Sequence, residues 1–268
     1  MGMRRTVLLL ASVVLAVVFS SLTGCAYTPA GQASTKPNFV FILADDMRKD
    51  DLKYMPKTRT LLGSEKGMRF EKAYVSNALC CPSRATIMRG QYAHNAGVWG
   101  NHNGPNGGWE GYQNHGNERD NIATRLDDAG YRTGLFGKYF NGYWGGNTHV
   151  PPGWDSWFAL FGFRYNGYEA NDNGNIRQFD TIRKNYVTDV LGGQTQRFIE
   201  ASVNRKKPFF AYVAPIAPHK PAKPDLQDER TFDGEKAPRP PTSTRQTSPT
   251  NPPGYGRCQD SAPTRSPG

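Results

Sequence analysis

The sequence predicts an α/β fold with a central mixed or parallel sheet flanked by helices. Three observations predict it. Short apolar runs alternate with longer amphipathic ones, the runs at 38–44, 131–138 and 208–214 end in polar residues, and the segments between them carry helix start and stop signals. Composition agrees: 37% apolar and 21% charged residues, with 29 Gly and 20 Pro in 268, exclude a collagen-like, coiled-coil or multi-span membrane chain. The net charge of +10 is scattered, without a basic run or a nucleic-acid-binding signature, so no nucleic-acid partner is expected.

The chain opens with a targeting segment over 1–25, in which Arg4 and Arg5 precede an apolar stretch from Val7 to Phe19. That stretch is shorter than the ~20 residues a spanning helix needs. Leu22-Thr23-Gly24-Cys25 resembles the bacterial lipobox, which implies lipid anchoring through Cys25 on the extracytoplasmic side of the cell membrane, with plain secretion as the other reading. Residues 26–36 read as a polar tether.

The run NFVFILA at 38–44 is expected to be a strand buried on both faces, delivering Asp45 and Asp46 at its carboxyl end. Helical spacing over 121–128 closes at Gly130, and 131–138 follows as a strand ending in Gly137-Lys138. A second helix spans 186–203 despite Gly192-Gly193, and PFFAYVA at 208–214 is another buried strand, ending in Ala217-Pro218-His219. Ligands bind at the carboxyl edge of such sheets. The Gly- and Asn-rich regions 95–117 and 143–175, with Trp144, Trp154 and Trp157, read as long loops whose aromatic faces suit sugar rings or pack as a surface insertion.

The segment Asn77-Ala78-Leu79-Cys80-Cys81-Pro82-Ser83-Arg84 carries the densest chemistry. Pro82 suits the first position of a helix that Gly90 closes, which places Cys80 just before an amino end that favours anions. Adjacent cysteines also admit a vicinal disulfide or two buried thiols.

The Cys-x-Pro-Ser-Arg motif resembles the type I sulfatases of the alkaline-phosphatase-like superfamily, and further segments agree in order: Asp45-Asp46 after the opening strand, Ala85 to Gly90 with His94-Asn95, Gly137-Lys138-Tyr139, and Ala217-Pro218-His219. The likeness spans about 36–241. Within the family, Ala78 to Arg84, Lys138-Tyr139 with Asn141, and Pro151-Gly153-Trp154 look most like glucosamine-6-sulfatases.

The resemblance implies that Cys80 is oxidised to formylglycine by a formylglycine-generating enzyme. The hydrated aldehyde would offer one hydroxyl to attack sulfur and a second to expel sulfate. Ca2+, or Mg2+, would be held by Asp45, Asp46 and the group at position 80, polarising the sulfate. Arg84 would steady the hydrate and the acids, Lys138 would bind a sulfate oxygen, and His219 would bind sulfate or assist proton transfer. The implied substrate is a sulfated saccharide or other sulfate ester. Each residue alone has a plainer reading: a turn for the Asp pair, a solvated Lys138, a loop His219. His94 suits substrate contact or packing, and His102, His115 and His149 lack metal-ligand spacing.

The family contributes a second metal-binding pair, in an Asp-Asn-Gly or similar motif, and a second lysine from later in the domain. Neither is found in this sequence. After Leu226 there is no Leu, Ile, Val or Met, and residues 238–268 hold eight of the 20 prolines, so 242–268 is expected to be a disordered tail with no role for Cys258. Back-translated and read one base earlier, Thr242 to Asn251 can encode Asn-Phe-Asn-Glu-Ala-Asp-Val-Ser-Asp-Lys, a continuation that a frameshift near Pro241 accounts for. The expected fold is thus C-terminally truncated. The readings are a sulfatase whose site a partner or other ligand completes, an inactive relative that at most binds sulfated ligands, and a related phosphoesterase.

Overall fold

The computed structural model describes residues 36–63 and 67–236. The leader, most of the tether, Cys25, Cys258 and the 242–268 tail lie outside the described residues. The chain divides into two units, 1–223 and 224–268. The described part of the second is a run of turns, held by backbone bonds such as Thr231 N–H to Asp228 O and by an Arg230–Asp233 ion pair.

In the first unit, strand β1 (Phe39–Ile42) leads into a 3-10 turn and α1 (Pro56–Gly63), then α2 (Cys80–Arg89), α3 (Ala93–Ala96), α4 (Gly108–Asn114) and α5 (Ile122–Asp128). Strands β2 (Arg132–Gly137), β3 (Ser156–Phe161), β4 (Glu169–Asp172) and β5 (Asn175–Gln178) follow, then α6 (Val187–Asn204) and β6 (Phe209–Ala214). The six strands form one sheet in the order β1-β6-β2-β3-β4-β5. The first four are mutually parallel, and β4 and β5 add an antiparallel edge. The mixed α/β sheet flanked by helices is as the sequence predicts.

The sheet centre is buried on both faces because its strands alternate between two apolar clusters. Leu135, Trp157, Ala159, Phe210 and Tyr212 join one cluster with Val98 and Tyr112. Phe136, Phe158, Leu160, Phe209 and Ala211 join the other, under α6. Helix α6 presents Val187, Leu191, Thr195, Phe198 and Ser202, spaced three or four apart, to that face. The two buried hydroxyls on this face bond carbonyls one turn back, Thr195 to Leu191 and Ser202 to Phe198. Helix α5 starts on Asn121, whose side chain accepts from the Ala123 and Thr124 amides.

Gly192 sits in the exposed interior of α6, and a Cβ there meets nothing within 4 Å. Gly192→Ala is therefore expected to stabilise the chain by about 0.5–1 kcal/mol. A rise in melting temperature measures this; no rise means the helix is limited by something other than backbone entropy.

Two expectations are corrected. Strand β1 is apolar but not buried: its four residues are 37–61% exposed, because among the described residues it is the sheet's edge and pairs with β6 alone. A continuous apolar run specifies a strand, not what covers it. The expected loops at 95–117 and 143–175 hold α3, α4 and strands β3 and β4. Here polar β4 and β5 (EAND, NIRQ) pair as a hairpin around Asn173-Gly174, both at positive φ.

Candidate functional site

Four chain segments meet at the carboxyl edge of the sheet. Beyond β1, the Leu43 and Asp45 amides donate to the Val213 and Ala217 carbonyls, which carries the Asp pair alongside the end of β6. Asp46 adopts φ 58, a left-handed backbone uncommon for a non-glycine residue. Strand β2 ends at Gly137, whose φ of 124 and 2.0 Å approach of a would-be Cβ to the Ala214 carbonyl oxygen leave room only for glycine. The next residue, Lys138, donates its amide to that carbonyl and so is held at the same edge. After β6, His219 is pinned by its amide to Ile216 O and by the Tyr165 hydroxyl, which donates to the His219 carbonyl at 2.6 Å.

Helix α2 brings the fourth segment. It begins at Cys80 with Leu79 as N-cap and ends on Gly90 in left-handed conformation. Cys80 is thus the first helical residue rather than the one before it, and Pro82 is third. Proline fits there because the amides of the first turn have no helical partner to lose. The Cys81 amide donates to Asn101 Oδ1 at 2.8 Å, anchoring the amino end to the 95–117 region. Cys80 and Cys81 are free thiols, not a vicinal disulfide.

The side chains interlock. Lys138 Nζ donates to Asp45 Oδ2 at 2.6 Å, and Arg84 lies 3.7 Å from Asp45 Oδ1 while donating to the Lys138 carbonyl at 2.8 Å. Asp45, Arg84 and Lys138 are each under 5% exposed. Cys80 Sγ faces Asp45 Oδ1 at 3.6 Å and Asp46 Oδ1 at 3.8 Å, and His219 Nε2 lies 3.6 Å from Asp46 Oδ2. Two cations and two carboxylates nearly cancel around the sulfur. All six predicted residues, Asp45, Asp46, Cys80, Arg84, Lys138 and His219, come together.

The two cysteines are not equivalent. Cys81 is fully buried, accepts from the Asn141 amide at 3.3 Å, and has its thiol pushed by burial up to about 11. Cys80 is partly open; burial raises its thiol too, and the Lys138 ammonium pulls back. In unconverted protein, iodoacetamide is expected to label Cys80 first and Cys81 only as pH approaches 11. Peptide mapping after brief labelling checks this, and equal labelling at neutral pH contradicts the assigned burial. A raised thiol pKa favours the protonated folded state, so this contribution to stability is present below pH 9 and is lost as pH rises toward 11.

Asp45, Asp46 and Cys80 offer three donor atoms within 4.8 Å of one another. The carboxylates suit a hard cation such as Ca2+ or Mg2+; an oxygen at position 80 suits it better than a thiol. Sequence reasoning missed Phe163, whose ring stacks on His219 at 4.5 Å and 10° and lies 4.6 Å from Lys138 Nζ, and it missed Tyr165 and Asn101. Of the other histidines, His94 is exposed and stacks on Tyr92, His115 pairs with Asn106, and His149 pairs with buried Glu118.

A sheet edge that gathers an Asp pair, buried Lys and Arg, and a His around a helix-borne cysteine has the make-up of a metal-assisted, anion-handling hydrolase centre. The chain belongs to the sulfatase family, whose model matches residues 37–257. It is 37% identical over 225 residues to N-acetylglucosamine-6-sulfatase of Capra hircus, covering 81% of this chain and 40% of that protein. The Homo sapiens protein of the same name is 36% identical over 233 residues, with 84% and 42% covered. Among solved structures, Ps i-CgsB superposes with a TM-score of 0.63 at 28% identity over 75% of this chain and 49% of that one. BT4656, solved with its substrate D-glucosamine-2-N,6-O-disulfate, has a TM-score of 0.54 at 22% identity over 77% and 39%, a likeness of fold. The chain spans less than half the length of these relatives. Among the described residues, no helix is long and apolar enough to cross a membrane.

Proposed function

We propose that this chain carries the amino-terminal part of a sulfatase domain, over about 37–241, and that it hydrolyses sulfate esters of saccharides. The observation that carries the reading is the buried Lys138–Asp45–Arg84 cluster beside Cys80, because an anion reacting there meets fixed positive groups in a desolvated setting.

In this reading a formylglycine-generating enzyme converts Cys80 to an aldehyde whose hydrate supplies the nucleophile. Asp45 and Asp46 would hold a divalent cation, Ca2+ before Mg2+, which would supply Lewis-acid polarisation of the sulfate. Arg84 keeps Asp45 and the Lys138 backbone in register. Lys138 binds a non-bridging sulfate oxygen, and His219, steadied by Phe163 and Tyr165, serves the proton that the leaving alcohol needs. The leader places the protein outside the cytoplasmic membrane, lipid-anchored at Cys25 or secreted.

The test is hydrolysis of 4-nitrophenyl sulfate and 4-nitrophenyl phosphate by the full chain with calcium. Preferential release from the sulfate supports the reading, and preference for the phosphate replaces it with a phosphoesterase. A second reading is favoured by the donor count: three atoms are few for Ca2+, which takes six to eight oxygens. It makes this chain an inactive relative that binds sulfated ligands, and saturable binding of a sulfated saccharide without turnover of any sulfate ester identifies that case.

A further inference from the structure

Glu118 is an acid that the mechanism above does not use, and it is only 7% exposed. Four side chains from three segments aim donors at it. Its Oε1 accepts from Trp109 Nε1 at 2.9 Å, on α4, and from the Tyr139 hydroxyl at 3.2 Å, just after β2. Its Oε2 accepts from Gln113 Nε2 at 3.3 Å, also on α4, and lies 2.9 Å from His149 Nε2, in the loop before β3. Burying a carboxylate is costly, and a full set of donors only offsets that cost. What those donors hold gives the acid a use.

Tyr139 follows Lys138 in the chain and is itself buried, its ring edge-on to Trp157 at 4.9 Å. Burial, with the Glu118 charge beside it, raises the Tyr139 hydroxyl well above its ordinary value, so it stays protonated and donates. The segment 138–141 meets the centre at three points. Lys138 Nζ donates to Asp45, the Lys138 carbonyl accepts from Arg84, and the Asn141 amide donates to Cys81 Sγ on the helix that carries Cys80. Trp109 closes the circuit, since its amide donates to the Asn141 carbonyl at 2.8 Å while its indole donates to Glu118.

We propose that Glu118 is a positioning residue for Lys138. By accepting the Tyr139 hydroxyl and the Trp109 indole it fixes the back of segment 138–141, and so the place of the ammonium beside Asp45 and of the carbonyl beside Arg84. The role belongs to the acceptor oxygen rather than to the charge. A glutamine at 118 keeps an oxygen for Trp109 and Tyr139 and turns its amide toward Gln113 and His149, both of which can reverse to accept. This rests on the reading of Lys138 as the sulfate-binding lysine.

The experiment measures kcat/KM for 4-nitrophenyl sulfate with calcium, beside thermal melts in chelator. The variants are Tyr139→Phe, Glu118→Met and Glu118→Gln, each in the native chain and in Lys138→Met. Tyr139→Phe keeps the ring and its packing and removes only the donor, which keeps the test open where Glu118→Met fails to fold. Tyr139→Phe and Glu118→Met are expected to lower kcat/KM by roughly 10–100-fold. Glu118→Gln is expected to rescue it to within about 3-fold of native. In the Lys138→Met chain, Tyr139→Phe is expected to cost less than about 2-fold, because the group it places is gone. An equal fold loss in both chains assigns Tyr139 and Glu118 to the fold alone and overturns the proposal. So does a native kcat/KM in Tyr139→Phe, or a Glu118→Gln as impaired as Glu118→Met. Where the native chain turns over no sulfate ester, the sulfatase reading fails separately and the melts decide. The coupling between Asp45→Asn and Lys138→Met is expected to fall by at least about half in Tyr139→Phe, and an undiminished coupling overturns the placing of Lys138 by Glu118.

Discussion

Cys80→Ala is expected to lower sulfate ester hydrolysis by roughly 10^4-fold or more, through kcat, because it deletes the group that makes the bond to sulfur. The fold is expected to survive. Cys80 Sγ faces the two carboxylates, at 3.6 and 3.8 Å, and belongs to neither of the apolar clusters described above. Cys81→Ala provides the contrast. That thiol is wholly buried and accepts the Asn141 amide, so its loss costs about 1–2 kcal/mol of stability and leaves the reacting atoms in place. Steady-state kinetics beside thermal melts separate the two: activity lost with stability kept for Cys80, the reverse for Cys81. Mass spectrometry of the native peptide adds a chemical check, since conversion of the Cys80 side chain to an aldehyde exchanges sulfur and two hydrogens for one oxygen. Comparable activity in Cys80→Ala and native protein defeats the nucleophile assignment outright.

The cysteine pair also shows where local sequence ends. That a helix starts near Pro82 and closes at Gly90 follows from proline's fit to a first turn and glycine's tolerance of positive φ, although the helix begins two residues earlier than that signal places it, at Cys80. Which sulfur faces the acids depends on the helix's rotation against Asn101 and Asn141, which lie 20 and 60 residues along the chain from Cys81. The motif resemblance supplied the answer that helix signals alone left open.

The strands tell the same story. β6 was legible because its apolar run is short, uninterrupted and followed by Pro215, and β2 because it sits between the helix-closing Gly130 and the Gly137-Lys138 that ends it. Strand β3 (SWFALF) has the same character, yet it lies between Gly153-Trp154 and Gly162-Phe163, in a region whose glycines and asparagines read as loop. β4 and β5 carry no apolar alternation, and pairing with β3, not propensity, makes them strands. For β1 the failure concerned burial. Phe39 to Ile42 have the composition of a strand covered on both sides, and within the described residues they are an edge. Phe163 was invisible for a related reason: it is one aromatic among many in its region, and only the sheet places it against His219.

Asp45→Asn is expected to be the most destabilising single change at the site, by about 3–5 kcal/mol, because it leaves Lys138 and Arg84 buried with no counter-charge. For a chain of this size that is a fall of about 10 °C in melting temperature. Lys138→Met acts in the same direction but more weakly, since Arg84 still faces Asp45. The double variant removes both charges of the 2.6 Å pair, so its loss is expected to be smaller than the sum by about 1–3 kcal/mol. Measured in chelator, this coupling reports the chain's own pair and not a bound ion. Calcium is then expected to raise the melting temperature of the native chain and leave Asp45→Asn unchanged, since a ligand stabilises only the state that binds it. Strict additivity of the two variants rejects the Lys138–Asp45 pair as the frame of the site. An undiminished calcium effect in Asp45→Asn removes Asp45 from the cation site while keeping that frame, which separates the two roles that one buried carboxylate is asked to fill.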